Sequence, residues 1–433
     1  MNSVPLPSAE TPALDLRRSP RFREVMLWTA VVGVIGGLVA CAYYWLLEGS
    51  MAFLWKTLPL WVERWAPAWL ERHHWLWLIT GIGGGLVGLA LKLLGTPGEV
   101  SAVVDNIHME GGRIDIKQTP SMVVASLLSI TFGGSAGPEA PLVQINGSLG
   151  SWLGDRLRLT PEIVRTLTFC GMGAALGAFF GAPLGGALFA LEIPHRRGLE
   201  YYEAMVPATI SATLAWLIFR AITGLSFGRL YHVPLMEVTQ RGVWVSALCG
   251  LFGAALAAMF VAIFRAIEHA AKPLEKHHVL LGVIGGICIG VIAGVYPQTL
   301  FFGEHQGAEL LENGVQLGAL ALFGLLLAKM FAVGCTLHSG FRGGFIFPLF
   351  FIGAAGGLAL SVMFPIIPAP LAALCTMAAV NVAVTKTPVS TTVILATLAG
   401  LGIVPLLLIS AFVSFLLTTR VALIRTQRSR NIS

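Results

Sequence analysis

Apolar stretches long enough to cross a lipid bilayer recur from one end of this 433-residue chain to the other. The clearest lie near 25–48, 75–94, 203–223, 241–268, 279–297, 316–335 and 395–419. A spanning helix needs about 20 predominantly apolar residues, so each stretch predicts one. Only 12% of the residues are charged, about half the fraction usual in soluble domains, and 50 are glycine. Glycine in membrane helices lets backbones approach closely. The expectation is an all-α integral membrane protein of many crossings, with no separate soluble domain.

Two further apolar regions, 121–193 and 336–394, are broken every few residues by glycine and proline, among them Pro138, Pro141, Pro183, Pro348 and Pro388. Lipid cannot satisfy the polar groups of broken backbone, so such segments must be buried in protein or line a cavity. The two regions also resemble each other. Gly137-Pro138-Glu139-Ala140-Pro141-Leu142 lies on Gly344-Phe345-Ile346-Phe347-Pro348-Leu349 at an offset of 207 residues (344 − 137). Met172–Glu192 can be laid on Met377–Thr397, which places Pro183 on Pro388. Discontinuous helices at matching positions point to inverted repeats with a site at their interface. The halves are expected at about 25–223 and 241–420, within a membrane domain of 25–420.

Residues 1–24 and 421–433 read as cytoplasmic segments. Arg17, Arg18, Arg21 and Arg23 precede the first apolar run, and Arg420, Arg425, Arg428 and Arg430 follow the last. Positive flanks favour the cytoplasm, so both termini are expected inside. The net charge of +6 comes largely from these ends and marks topology, not nucleic-acid binding. The first apolar run starts too far in, and runs too long, for a cleaved leader. Arg196-Arg197 reads as another inside marker, and the tryptophans from Trp55 to Trp77 as interfacial anchors. Six cysteines form no CxxC pair, and ten histidines no HExxH spacing, so neither metal nor cofactor is expected.

The chemistry centres on Glu139, a carboxylate at a Gly/Pro break between two apolar stretches. Proline suits the first turn of a helix, so Pro141 is expected to start one whose free amides face the break. A helix N-terminus attracts anions through those amides and its dipole. A deprotonated Glu139 would occupy such a site and block it; protonated, it would swing away. An ionisable residue inside a membrane is functional by default. The second break offers the amides of Phe345, Ile346 and Phe347, with Gly344 before them, from the opposite half. Arg342, beside it, adds a cation that draws anions inward; His338 either tunes the site or caps a helix. A third break, Gly95-Thr96-Pro97-Gly98-Glu99-Val100, offers the Thr96 hydroxyl, or is an ordinary turn and cap.

These motifs resemble the CLC family of chloride channels and proton/chloride antiporters, from about residue 25 to 420. The family's Gly-Arg/Lys-Glu-Gly-Pro stands here as Gly137-Pro138-Glu139-Ala140-Pro141, followed by Val143-Gln144, and its Gly-x-Phe-x-Pro as Gly344-Phe345-Ile346-Phe347-Pro348. Gly173-Ala174-Ala175 through Ala182-Pro183-Leu184 to Leu191-Glu192 is similar to the helix after the first motif. The resemblance implies many tilted, broken helices, a homodimer in a bacterial inner membrane, and no C-terminal regulatory domain. It implies chloride transport gated by Glu139, with Thr96, Gly137, Pro138, Ala140, Gly344, Phe345, Ile346 and Phe347 around the anion. Proton-coupled antiport is the leading expectation; a passive channel, voltage- or pH-gated, is the alternative. Three departures stand out. The family's Gly-Ser-Gly-Ile-Pro appears only in the shorter Thr96 segment. Ile193 follows Glu192 where family antiporters often carry a second, internal proton glutamate, as if that acceptor were missing; the internal route is expected at Glu192 and Ile193, with entry by water, Glu200 or His195 as the alternatives. No tyrosine occurs after Tyr296, although the family's last helix presents one to the anion. Fluoride-exporting members of the family usually carry a different residue where Pro141 stands, so the resemblance implies chloride. An intramembrane hydrolase is set aside, since neither Ser135 nor Ser339 stands in Gly-x-Ser-Gly.

Overall fold

The computed structural model describes residues 20–59, 72–196, 198–225, 230–234, 237–421 and 423–428. Among them the chain forms sixteen α-helices joined by turns and short 3-10 segments. Eight make the first half: α1 (Pro20–Ala52), α2 (Arg72–Leu94), α3 (Val100–Met109), α4 (Thr119–Thr131), α5 (Glu139–Arg156), α6 (Pro161–Phe180), α7 (Pro183–Glu192) and α8 (Met205–Thr223). Eight repeat the order: α9 (Gln240–Ala271), α10 (His278–Val295), α11 (Glu304–Asn313), α12 (Gly318–His338), α13 (Ile346–Met363), α14 (Ala369–Thr385), α15 (Pro388–Ala399) and α16 (Val404–Leu417).

The halves match in packing as well as order. α1 packs on α6 and α8, and α9 packs on α14 and α16 in the same way. Where the halves meet, equivalent elements touch: α2 lies on α10, and α7 on α15. Contact between equivalents is what a two-fold relation between inverted repeats requires. Glycine makes the α2–α10 contact possible. A Cβ on Gly84 would fall 1.9 Å from the Gly282 carbonyl oxygen, and one on Gly282 would fall 2.1 Å from that of Gly84. The two backbones are in contact, which lipid cannot drive but small residues permit.

Proline starts α6, α7 and α15, where its missing N–H costs nothing. Gly181, at φ 64°, ends α6 in the left-handed region and lets the chain turn into α7. Among the described residues, eight helical runs are long and apolar enough to cross a membrane. Some expectations change. The span at 395–419 is two helices, because Gly400, at φ 123°, breaks it. The regions of broken backbone contain full-length helices, α6 and α13, which are almost entirely buried. The expected cytoplasmic segment 1–24 overlaps α1, which begins at Pro20; Arg17, Arg18, Arg197, Arg430 and the tryptophans between 60 and 71 lie outside the described residues.

Candidate anion pathway

The two broken motifs meet at one point. Gly137 and Gly344 form an isolated antiparallel bridge: the Gly137 amide donates to the Gly344 carbonyl at 2.8 Å and the Gly344 amide to the Gly137 carbonyl at 2.6 Å. From this bridge start α5 and α13, each 18 residues long, one in each half. Their N-termini therefore face the same small volume with their positive ends. α5 begins at Glu139 itself, with Pro138 as its cap residue. Pro141 thus lies inside the first turn instead of starting it, a position where its missing N–H is equally harmless.

Glu139 lies across this junction. It is 1% exposed, and its Oε1 accepts from the Ile346 amide at 2.9 Å. The amides of Phe347 and of Glu139 itself also face the carboxylate. Its Oε2 has no hydrogen-bond partner. The bridge glycines make room for it. A Cβ on Gly137 would lie 1.9 Å from Oε2, and one on Gly344 would lie 2.4 Å from the carboxyl carbon. The carboxylate of one half is thus seated on the helix start of the other.

A cavity of about 150 Å³ begins at Glu139 and Ile346 and reaches Ile193. Of the expected anion-binding residues, Ala140, Gly344, Phe345 and Ile346 line it. Gly137 and Pro138 shape the bridge behind it. The Phe347 side chain turns into an aromatic cluster with Phe179, Phe180 and Phe302, at centroid distances of 5.4 to 5.8 Å. Thr96 is exposed and is not part of the wall. α2 runs to Leu94, so Thr96 falls in the turn, and the residues that this segment brings to the cavity are Glu99 and Val100. Glu99 is not among the expected site residues, although a charged residue beside a break in an apolar chain is signal enough.

At the far end, Ile193 lines the cavity and Glu192 does not. The Glu192 carboxylate accepts from the amides of Val389 and Ser390 at 3.1 and 2.8 Å and from the Ser390 hydroxyl at 2.5 Å. It caps α15 from the opposite half, as Glu139 does α13. The C-terminal segment folds back here. Gln427 donates to the carbonyls of Ile193 and Thr385 at 2.8 and 2.7 Å, and Arg428 pairs with Asp105. Leu423 and Ile424 form the wall on this side. The last part of the chain therefore presents alkyl groups, where the resemblance led one to look for a tyrosine hydroxyl.

Two buried lysines were also missed. Lys329 donates to the carbonyls of Thr299 and Phe301 at 3.1 and 2.8 Å, and Lys386 to those of Ala383 and Thr418, both at 2.6 Å. Each ties loop backbone to a helix. Ser339, weighed for hydrolysis, donates its hydroxyl to the Cys335 carbonyl at 2.6 Å.

The sequence profile of a family described as voltage gated chloride channel matches residues 83–419. The chain belongs to the CLC family. Among curated CLC relatives, a chloride/fluoride channel protein of Pseudomonas syringae pv. tomato is 28% identical over 423 residues, covering 95% of this chain and 89% of its own. Among solved structures, a CLC-type fluoride/proton antiporter superposes with a TM-score of 0.78 at 22% identity, covering 95% of this chain and 99% of its own. A slow cyanobacterial Cl⁻/H⁺ antiporter gives 0.79 at 20% identity, covering 92% of this chain and 94% of its own. At these identities the structures establish the CLC fold, and the family establishes ion transport by a multi-pass membrane protein. CLC proteins are transporters and channels, not enzymes.

Proposed function

We propose that this chain exchanges chloride for protons, with Glu139 as both gate and proton carrier. The observation that carries the reading is the Glu139 carboxylate on the Ile346 amide, at the common start of two helices from opposite halves. Helix N-termini bind small anions, so the carboxylate stands where chloride would bind. Deprotonated, it closes the pathway. Protonation removes the attraction to the helix ends, the side chain leaves, and chloride takes its place. Proton uptake and chloride entry therefore favour each other, as linkage requires when two anions compete for one site.

The solved relatives include one antiporter of fluoride and one of chloride. We take chloride as the substrate because Pro141 remains in the Glu139 motif. The reading includes a homodimer with one pathway per subunit, since one chain supplies every residue of the site. It also includes both termini in the cytoplasm of a bacterial inner membrane, on the strength of the basic flanks. A passive channel is the second reading. Ile193 favours it, because an apolar side chain on the cavity wall carries no protons.

The test is proton movement in liposomes of purified protein under a chloride gradient, with no proton gradient imposed. Antiport predicts uphill proton movement. Chloride flux without protons makes the protein a channel. The same assay under a fluoride gradient assigns the anion. The internal proton route is proposed to pass Glu192 and Ile193. Ile193→Glu is expected to change the proton-to-chloride ratio; an unchanged ratio in that assay places the route elsewhere.

A further inference from the structure

Arg342 is the one Lys or Arg among the described residues on the cavity wall. It is 7% exposed, and its Nε has no hydrogen-bond partner. Its Nη1 donates to Glu99 Oε1 at 2.5 Å. The two partners differ in freedom. The Glu99 side chain is 63% exposed, whereas that of Arg342 is 8% exposed. Glu99 can therefore leave for water, and Arg342 cannot. Glu99 also stands at the N-cap of α3 without capping it, because its carboxylate is turned to Arg342. Val100 and Ser101, the first residues of α3, share the cavity wall with His338, whose Nε2 is likewise unpartnered.

We infer that Arg342 forms a second binding site for a small monovalent anion, in the same cavity as Glu139, and that Glu99 is its tethered competitor. A buried guanidinium with one donor unused needs a negative partner. A halide supplies the same charge as the Glu99 carboxylate, so exchange keeps the site neutral. The α3 N-terminus adds to the attraction once the carboxylate has moved out. An anion entering the cavity would displace Glu99 from Arg342, and then compete with Glu139 at the helix junction. This inference rests on the anion-transport reading above but not on proton coupling.

The experiment is the chloride dependence of anion exchange in liposomes, measured as radioactive chloride uptake for the wild type, Glu99→Gln, Arg342→Gln and Arg342→Lys. Removing a charged hydrogen-bond partner changes affinity by about tenfold. Glu99→Gln is expected to lower the half-saturating chloride concentration by about that factor. Arg342→Gln is expected to raise it similarly, and Arg342→Lys to restore most of the loss. Glu99 is exposed, so its variant keeps the test open if Arg342→Gln does not fold. Half-saturation unchanged in Glu99→Gln, or raised in both charge-removing variants as for a structural brace, overturns the inference. Chloride exchange without protons, with the opposite shifts kept, leaves it standing and removes only the coupling. A wild type that moves no chloride overturns both readings.

Discussion

Glu139→Gln is expected to abolish proton movement while chloride continues to flow. Glutamine has the shape of glutamate, so the room between Gly137 and Gly344 stays filled. It cannot bind and release a proton at neutral pH, and it brings no charge to the helix junction. In the wild type the carboxylate holds the Ile346 amide at 2.9 Å. A charged acceptor at a backbone amide is stronger than a neutral one by about 1 kcal/mol or more. The amide variant should therefore yield the site to chloride more readily. Proton flux in liposomes is expected to fall by about 100-fold or more, the loss typical when a general acid–base group is removed. Chloride flux should stay within about tenfold of the wild type. Retained coupling would remove Glu139 from its role.

The largest stability effect is expected at the α2–α10 crossing. Gly84→Val places a Cβ 1.9 Å from the Gly282 carbonyl oxygen, and a branched side chain beyond it. Backbone cannot move aside as a flexible side chain can. The helices must separate, which also lifts Gly286 from Thr80 and Gly290 from Trp77, contacts at which a Cβ would lie 2.1 and 2.3 Å from backbone atoms. Overpacking a core costs about 1–3 kcal/mol where side chains absorb it, and more is expected here. Folded yield on size-exclusion chromatography in detergent should fall sharply, with thermal unfolding of any remainder well below the wild type. A variant with wild-type yield and melting would mean the helices can part without loss.

Much of this arrangement was legible in the residues. Apolar length gave the membrane, and Gly/Pro interruption at matching positions gave two halves and their meeting point. The offset sets Gly137 and Gly344 at equivalent positions, and the fold pairs these two equivalents in one bridge. What was not legible had physical causes. A carboxylate is read as a gate or a cap by its surroundings, and the surroundings of Glu192 come from the opposite half, nearly two hundred residues on. The bonding of Glu99 to Arg342 spans 243 residues in the same way. Local sequence also favoured Thr96, a hydroxyl after a glycine, but the end of α2 at Leu94 fixes which side of the turn faces the cavity. The role of residues 423–428 depended on a fold-back that no periodicity announces. Gly400, with Gly402 and Pro405 just after it, divided an otherwise apolar stretch.

Chloride is expected to bind where the Glu139 carboxylate now lies. Crystals of Glu139→Gln grown in bromide test it by anomalous scattering. A bromide peak within hydrogen-bonding distance of the Ile346 amide, at the junction of α5 and α13, is the predicted result. Bromide found elsewhere in the cavity, with none at that amide, would mean that the carboxylate does not occupy an anion site.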